Sequence, residues 1–259
     1  MRLLIGCAVM LILIGCAAPN ITPAPVPTTA PTRVAPTATA APTPSISASR
    51  VVSFTTTDGA KLYGTLYGRG STAVVFSTMG AQKQATWAKM AQAAADAGYL
   101  ALTYDFRFGV SETRIQDNLR AYVADDLRAA IALVRAQGAQ RIVLVGASLG
   151  GMATAKVAGE AQADAVIIMA SPLSAKGLTV RIEDRELQAL TMPKLFVSTE
   201  RDAVVAPAEA RRTYDQAPEP KEIFLYPGTA HGTELFETEH AADLIQRLLA
   251  FIGKNTSTN

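Results

Sequence analysis

Residues 141–155, Arg-Ile-Val-Leu-Val-Gly-Ala-Ser-Leu-Gly-Gly-Met-Ala-Thr-Ala, constrain this chain more tightly than any other stretch. Ile142 to Val145 is a short apolar run entered from a turn at Gln137-Gly138, which suits a β-strand covered on both faces. Gly150 to Ala155 consists mostly of small residues, as a closely packed helix requires. Between the two, only Gly146 to Gly150 is left for a sharp turn. A serine on such a turn is forced into a strained backbone conformation that lifts its hydroxyl above the sheet edge, at the helix N-terminus. Glycines at Gly146 and Gly150 leave room for it. A strand, turn and helix joined this way belong in a mostly parallel sheet wrapped by helices.

The rest of the chain carries that alternation. Val51 to Thr57 alternates polar and apolar residues, Asp58-Gly59 is a strong turn signal, and Lys61 to Tyr67 resumes as a strand, which predicts an opening hairpin. Strands are then expected at Ala73 to Ser77, Tyr99 to Tyr104, Ala165 to Met169, Lys194 to Ser198 and Glu222 to Tyr226. Helices are expected at Thr86 to Ala97, at Asn118 to Gln137, around Ile182 to Leu190, and at Pro207 to Tyr214 with proline in the first turn. A final amphipathic helix carries Ala241, Leu244, Ile245, Leu248, Leu249 and Ile252. In the helix from Asn118, one face collects Leu119, Tyr122, Val123, Leu127, Ala130, Ile131 and Val134. Sheets of this kind bind ligands at the carboxyl ends of their strands, so chemistry is expected just after strands.

The first fifty residues have a different character. Met1-Arg2 is a short positive start and Leu3 to Ile14 a nearly continuous apolar run. That run is shorter than the about 20 residues a membrane-crossing helix needs, so it reads as an export signal. Ala17 to Ser49 is rich in proline, threonine, alanine and serine, with Arg33 its one charged residue, and reads as a flexible linker. Leu13-Ile14-Gly15-Cys16 resembles the lipobox of bacterial lipoproteins. The resemblance implies that Cys16 is lipidated and anchors an exported protein to the membrane; an ordinary signal peptide with a chance cysteine is the alternative. The expected organisation is therefore a signal at 1–15, an anchored linker at 16–50, one α/β domain at 51–254 and a disordered tail at 255–259. Both cysteines, Cys7 and Cys16, lie in the leading segment, so the globular part holds no disulfide and depends on its core. A net charge of +2 with scattered basic residues gives no nucleic-acid footprint.

Gly146-Ala147-Ser148-Leu149-Gly150 has the form G-x-S-x-G and resembles the nucleophile elbow of the α/β-hydrolase family. About one chain in ten of this length carries that pattern by accident, so context must give it weight. A serine hydroxyl becomes a useful nucleophile when a histidine takes its proton and a carboxylate holds the resulting imidazolium. There are two histidines. His231 follows the last expected strand, where the family places its catalytic histidine; the other reading is a loop histidine bonded to nearby backbone. His240 opens the final helix and reads as a solvated residue. After the strand at Lys194 to Ser198, Asp202 matches the family's acid, with Glu200 as the rival carboxylate and a turn or helix cap as the plain role. The order Ser148, Asp202, His231 is that of the family.

The resemblance also implies oxyanion donors at Leu149 and at Gly80, in the loop Thr78-Met79-Gly80-Ala81. Many relatives carry His-Gly-x in that loop, and the departure leaves Met79 as an alternative. Tyr104 to Ser111 resembles the family's D-x-R-G-x-G-x-S loop shortened by one residue, with Asp105 and Arg107 in structural roles. Met79, Phe106, Phe108 and Trp87 are candidates for an acyl pocket, with plain core the competing reading. Only about twenty residues separate the strands near Ala170 and Lys194, so a large cap domain is not expected and the cleft is open or covered by one short helix. The expected activity is hydrolysis of small or medium carboxylic esters. Dienelactone-hydrolase-like or peptidase activity, and a non-catalytic ligand-binding protein on the same fold, are the alternatives. No cofactor or metal motif is present.

Overall fold

The computed structural model describes residues 48–80, 82–110, 122–174 and 180–257. The signal-like start, Cys16 and the linker through residue 47 lie outside the described residues, as do Ala81, Ser111 and Leu119. Eight strands make one sheet: β1 (Ser49–Thr55), β2 (Lys61–Tyr67), β3 (Thr72–Ser77), β4 (Leu100–Tyr104), β5 (Arg141–Ala147), β6 (Ala165–Met169), β7 (Lys194–Thr199) and β8 (Lys221–Tyr226). Their spatial order is β1-β2-β4-β3-β5-β6-β7-β8. Strands β1 and β2 form the expected hairpin, pairing antiparallel from Ser49 opposite Tyr67 to Thr55 opposite Lys61. Its turn uses Gly59 at φ 88, and the Ala60 N–H is held by Thr56 Oγ1 at 2.9 Å. β2 is also antiparallel to β4, and every pairing from β4 through β8 is parallel.

Seven helices are described: α1 (Ala88–Asp96), α2 (Arg107–Val110), α3 (Val123–Ala136), α4 (Leu149–Val157), α5 (Asp184–Gln188), α6 (Pro207–Gln216) and α7 (Ala241–Thr256). Two 3-10 segments are also described: Gln84–Trp87, which leads into α1, and Gly232–Glu237, which follows His231. The sheet separates two cores. On one face, Ile142 and Leu144 of β5 pack with α3, α4 and Leu187 of α5; on the other, Val143, Val145 and Ala147 of β5 pack with α1 and α7. This two-sided cover explains why β4, β6 and β7 are buried at every position and read as continuous rather than alternating runs. In α4, Lys156 alone escapes burial, which is why that helix is apolar all round.

The described helix α3 begins at Val123, and Tyr122 precedes it with 39% of its surface exposed. Its ring lies under the Arg107 guanidinium at 4.4 Å, so it stacks on a cation instead of joining the buried face. The folded unit is also slightly longer than 51–254: β1 starts at Ser49, and α7 runs to Thr256, which is buried and donates its hydroxyl to Ile252 O at 2.8 Å. Among the described residues no helix is long and apolar enough to cross a membrane.

Candidate active site

The loops that follow β3, β5, β6, β7 and β8 converge at the carboxyl edge of the sheet. Ser148 follows β5 at φ 51 and ψ −117, a conformation that costs a non-glycine residue about 1–3 kcal/mol and must be held by its surroundings. Its N–H donates to Met169 O at 2.8 Å, tying it to β6, and its carbonyl accepts the Met152 N–H at 3.0 Å. The flanking glycines are there for space. A Cβ on Gly146 would stand 2.1 Å from Gly150 O, and a Cβ on Gly150 would stand 2.3 Å from Ser77 O and 2.5 Å from Thr78 O. No other residue type fits either position without backbone movement. The half-buried Ser148 side chain is thereby presented at the first turn of α4.

Asp202 and His231 follow the ends of β7 and β8. His231 Nδ1 lies 3.0 Å from Asp202 Oδ1 and 2.9 Å from Oδ2, and both residues are buried. Asp202 Oδ1 also accepts the N–H groups of Val204 and Val205, each at 2.8 Å. An ionised carboxylate can only accept, so the proton between the two side chains belongs on Nδ1, which leaves Nε2 with its lone pair free for base chemistry. The two loops are stitched by backbone bonds from Arg201 N to Gly228 O at 3.0 Å and from Ala203 N to Thr229 O at 3.2 Å. Thr199 Oγ1 adds a bond to Ala230 O at 3.0 Å. The His231 N–H is fixed by Glu234 Oε2 at 2.9 Å. Glu200, the rival acid, is exposed and is joined to Tyr226 O through its own N–H. His240 stacks on Tyr226 at 5.1 Å and is half-buried rather than fully solvated.

What brings the histidine loop to the serine is Gly232. A Cβ there would stand 2.4 Å from Met79 Sδ and 3.1 Å from Ala147 Cβ, so the residue after His231 is wedged between the residue before Ser148 and the loop after β3. That loop is anchored on its far side. Trp87, fully buried between Phe76 at 5.1 Å and Phe236 at 5.6 Å, donates Nε1–H to Ser77 O at 3.1 Å. Gln84 donates its backbone N–H to Asp105 Oδ1 at 2.8 Å and its side-chain amide to Asp105 Oδ2 at 3.2 Å, while accepting the Thr103 hydroxyl at 2.9 Å. Between these anchors Met79 is buried and Gly80 half-buried, and a Cβ on Gly80 would meet nothing within 4 Å. Leu149, the other expected donor, is the first residue of α4.

Arg107 has the fastening role expected of it. It donates Nε–H to the buried Asp126 at 2.7 Å and a second N–H to Asp58 at 2.6 Å. Burial raises the Asp126 carboxyl and the Arg107 bonds counter it; the Arg107 hydrogen bonds hold exposed Asp58 down at about 2. Met79, Phe106, Phe108 and Trp87 are all buried in the two cores, which fits the plain-core reading. The sequence reading missed Gln84 and Ser171, the latter donating its hydroxyl to Ser148 O at 3.0 Å. Neither sits in a recognisable pattern, although the second glycine, Gly151, beside the elbow is a trace of Ser171. Among the described residues no His, Cys, Asp and Glu group is arranged to hold a metal ion.

The family model described as alpha/beta hydrolase domain matches residues 72–249. No curated protein matches the chain. Among solved structures it is similar to the esterase domain of a Rhodothermus marinus protein, with 20% identity over 81% of this chain and 100% of that one and a TM-score of 0.65. It is also similar to the Pyrococcus furiosus esterase Pf2001, with 17% identity over 82% and 94% and a TM-score of 0.65. DcsB, solved with a substrate analogue, gives 17% identity over 81% and 100% and a TM-score of 0.69. At such identities the likeness is one of fold.

Proposed function

This chain belongs to the alpha/beta hydrolase family, and from that premise we propose that it is a serine hydrolase acting on carboxylic esters of small or medium size. Ser148 Oγ attacks the acyl carbon while its proton passes to His231 Nε2. Asp202 holds the imidazole in the required tautomer and stabilises the imidazolium. The oxyanion takes hydrogen bonds from the N–H of Leu149 and from that of Gly80, with Met79 the alternative in the same loop. The alcohol leaves with the proton from His231, and water, deprotonated by the same imidazole, releases the acid from the acyl-enzyme.

The observation that carries this reading is the buried Asp202–His231 pair, wedged through Gly232 against the strained turn of Ser148. Esters are preferred over peptides because the connection from β6 to β7 is short, with α5 as its one described helix, and two of the similar structures are described as esterases. The decisive experiment is fluorophosphonate labelling of the purified protein beside Ser148→Ala. Labelling and ester turnover that vanish together in the variant support the reading; a folded wild type that neither labels nor cleaves a panel of acyl chain lengths rejects it.

The proposal extends to location. Residues 1–15 act as an export signal, Cys16 carries a lipid, and the linker that ends where β1 begins tethers the domain outside the cytoplasm, where two or more acyl chains suffice for stable anchoring. Partitioning of the protein into detergent that is lost in Cys16→Ala supports this, and partitioning that survives the change counts against it.

A further inference from the structure

The peptide joining Ser148 to Leu149 is the unit through which the first oxyanion donor acts, and it is engaged at both ends. Its N–H is the Leu149 donor. Its carbonyl, on the opposite side of the same plane, accepts the Met152 N–H at 3.0 Å and the Ser171 hydroxyl at 3.0 Å. The chain is shaped to deliver that hydroxyl. Beyond β6, Ala170 takes φ 46, a left-handed value for a residue with a side chain, and its N–H is held by Val197 O at 2.7 Å. The turn leaves Ser171 buried at 2% exposure. Room for it comes from Gly151, where a Cβ would lie 2.7 Å from Ser171 Cβ and 2.9 Å from its Oγ. From α6, the one Thr213 hydroxyl hydrogen is shared between Ser171 O at 3.2 Å and Glu209 O at 3.1 Å, which packs α6 against the Ser171 backbone.

We propose that Ser171 is a positioning residue for the oxyanion hole, acting through the Ser148–Leu149 peptide; this rests on the serine-hydrolase reading above. A hydrogen bond to an amide carbonyl draws density from its nitrogen and strengthens the N–H as a donor, by about 10–30% per bond in a linked chain. It also fixes the plane, so the donor is aimed before the reaction begins. A neutral ester carbonyl gains little from a stronger donor, whereas the tetrahedral oxyanion gains fully. The contribution of Ser171 therefore falls on kcat and leaves KM alone.

The test uses the full chain in detergent, with Ser171→Ala and Ser171→Cys compared to wild type. Steady-state constants for p-nitrophenyl butyrate are taken per active site titrated with fluorophosphonate, alongside inhibition by an alkyl trifluoromethyl ketone, whose hemiketal carries an oxyanion. Ser171→Ala should lose about 5- to 30-fold in kcat, less than removal of a donor outright, with KM within about twofold and ketone affinity weakened by a similar factor. Ser171→Cys, close in size but a poor donor, should fall between; it also supplies the measurement if Ser171→Ala does not fold. Turnover unchanged in both variants, a loss confined to KM, or a lower kcat with unchanged ketone affinity overturns the proposal. A wild type that neither labels nor turns over rejects the hydrolase reading itself, whereas an active wild type with indifferent Ser171 variants rejects this inference alone.

Discussion

Gly150→Ala tests the assembly of the site through a single methyl group. The added Cβ would stand 2.3 Å from Ser77 O and 2.5 Å from Thr78 O. Carbon and oxygen sit comfortably no closer than about 3.3 Å, so the end of β3 and the first turn of α4 must part by about 1 Å. Both obstructing atoms are backbone, and neither can swing aside as a side chain would. Overpacking of this kind costs about 1–3 kcal/mol, which lowers the melting temperature of a domain this size by about 2–12 °C. The same movement draws Leu149 away from Gly80. A displacement near 1 Å costs about 100-fold in rate, and it should appear in kcat more than in KM. Gly80→Ala is the matched control, because its added Cβ meets nothing within 4 Å and its N–H is kept. Its stability should stay within about 0.5 kcal/mol of wild type. Circular-dichroism melts with ester kinetics per titrated site measure both effects. A Gly150→Ala protein that melts and turns over like wild type, or a Gly80→Ala protein damaged as badly, refutes the reasoning.

Asp202→Asn keeps an oxygen for the Val204 and Val205 N–H groups but removes the charge facing His231 Nδ1, so kcat should drop by about 10⁴ while the fold survives, as rates beside melting curves will show. Asp126→Ala leaves the Arg107 guanidinium without its buried partner and should cost about 3 kcal/mol by chemical denaturation. Asp58→Ala, removing the exposed and solvent-screened partner of the same guanidinium, should shift the denaturation midpoint much less than Asp126→Ala does. Lys194 is buried with Nζ donating to Pro218 O at 2.8 Å and Pro220 O at 2.9 Å, and burial lowers its pKa from 10.5 to about 8. Between those two values the unfolded chain holds a proton that the folded chain has released. Wild type should therefore gain stability relative to Lys194→Met as pH rises through that window, by on the order of 3 kcal/mol at most, and lose it as pH falls back through 8; denaturant titrations at pH 7 and pH 10 give the comparison.

The parts of the fold that were legible are those where local chemistry left one solution. The Gly146–Gly150 turn could be read because the backbone approaches that require glycine there, 2.1 Å and 2.3 Å for a hypothetical Cβ, exclude every other residue. The hairpin could be read because Asp58-Gly59 has the φ that favours glycine, 88 at Gly59. The rule that strand ends share one edge brought the loop after β7 to His231, but the choice of Asp202 over Glu200 in that loop came from the family resemblance. Tyr122 was not legible: helical spacing placed it on the buried face of α3, but the described helix starts one residue later, and an aromatic ring serves equally as a platform for Arg107. Gln84 and Ser171 were not legible because a hydrogen bond between loops has no period in sequence. Their partners, Asp105 and the Ser148 carbonyl, lie 21 and 23 positions away, and chemistry alone does not single them out from other polar residues.

The order of the strands has a consequence for when this protein can act. His231 comes after β8, the last strand in the chain and an outermost one in the sheet, while Ser148 comes after β5 near the middle. The elbow's supports on β3 and β6 are complete long before the histidine loop exists, and Gly232 must still be inserted against Ala147 and Met79. Contacts so distant in sequence form late. A chain stopped short of β8, or clipped so that the strand cannot dock, keeps Ser148 and loses the base proposed for it, His231. On the proposed serine-hydrolase reading, activity is thus switched on by completion of the fold, and unfinished chains are chemically silent.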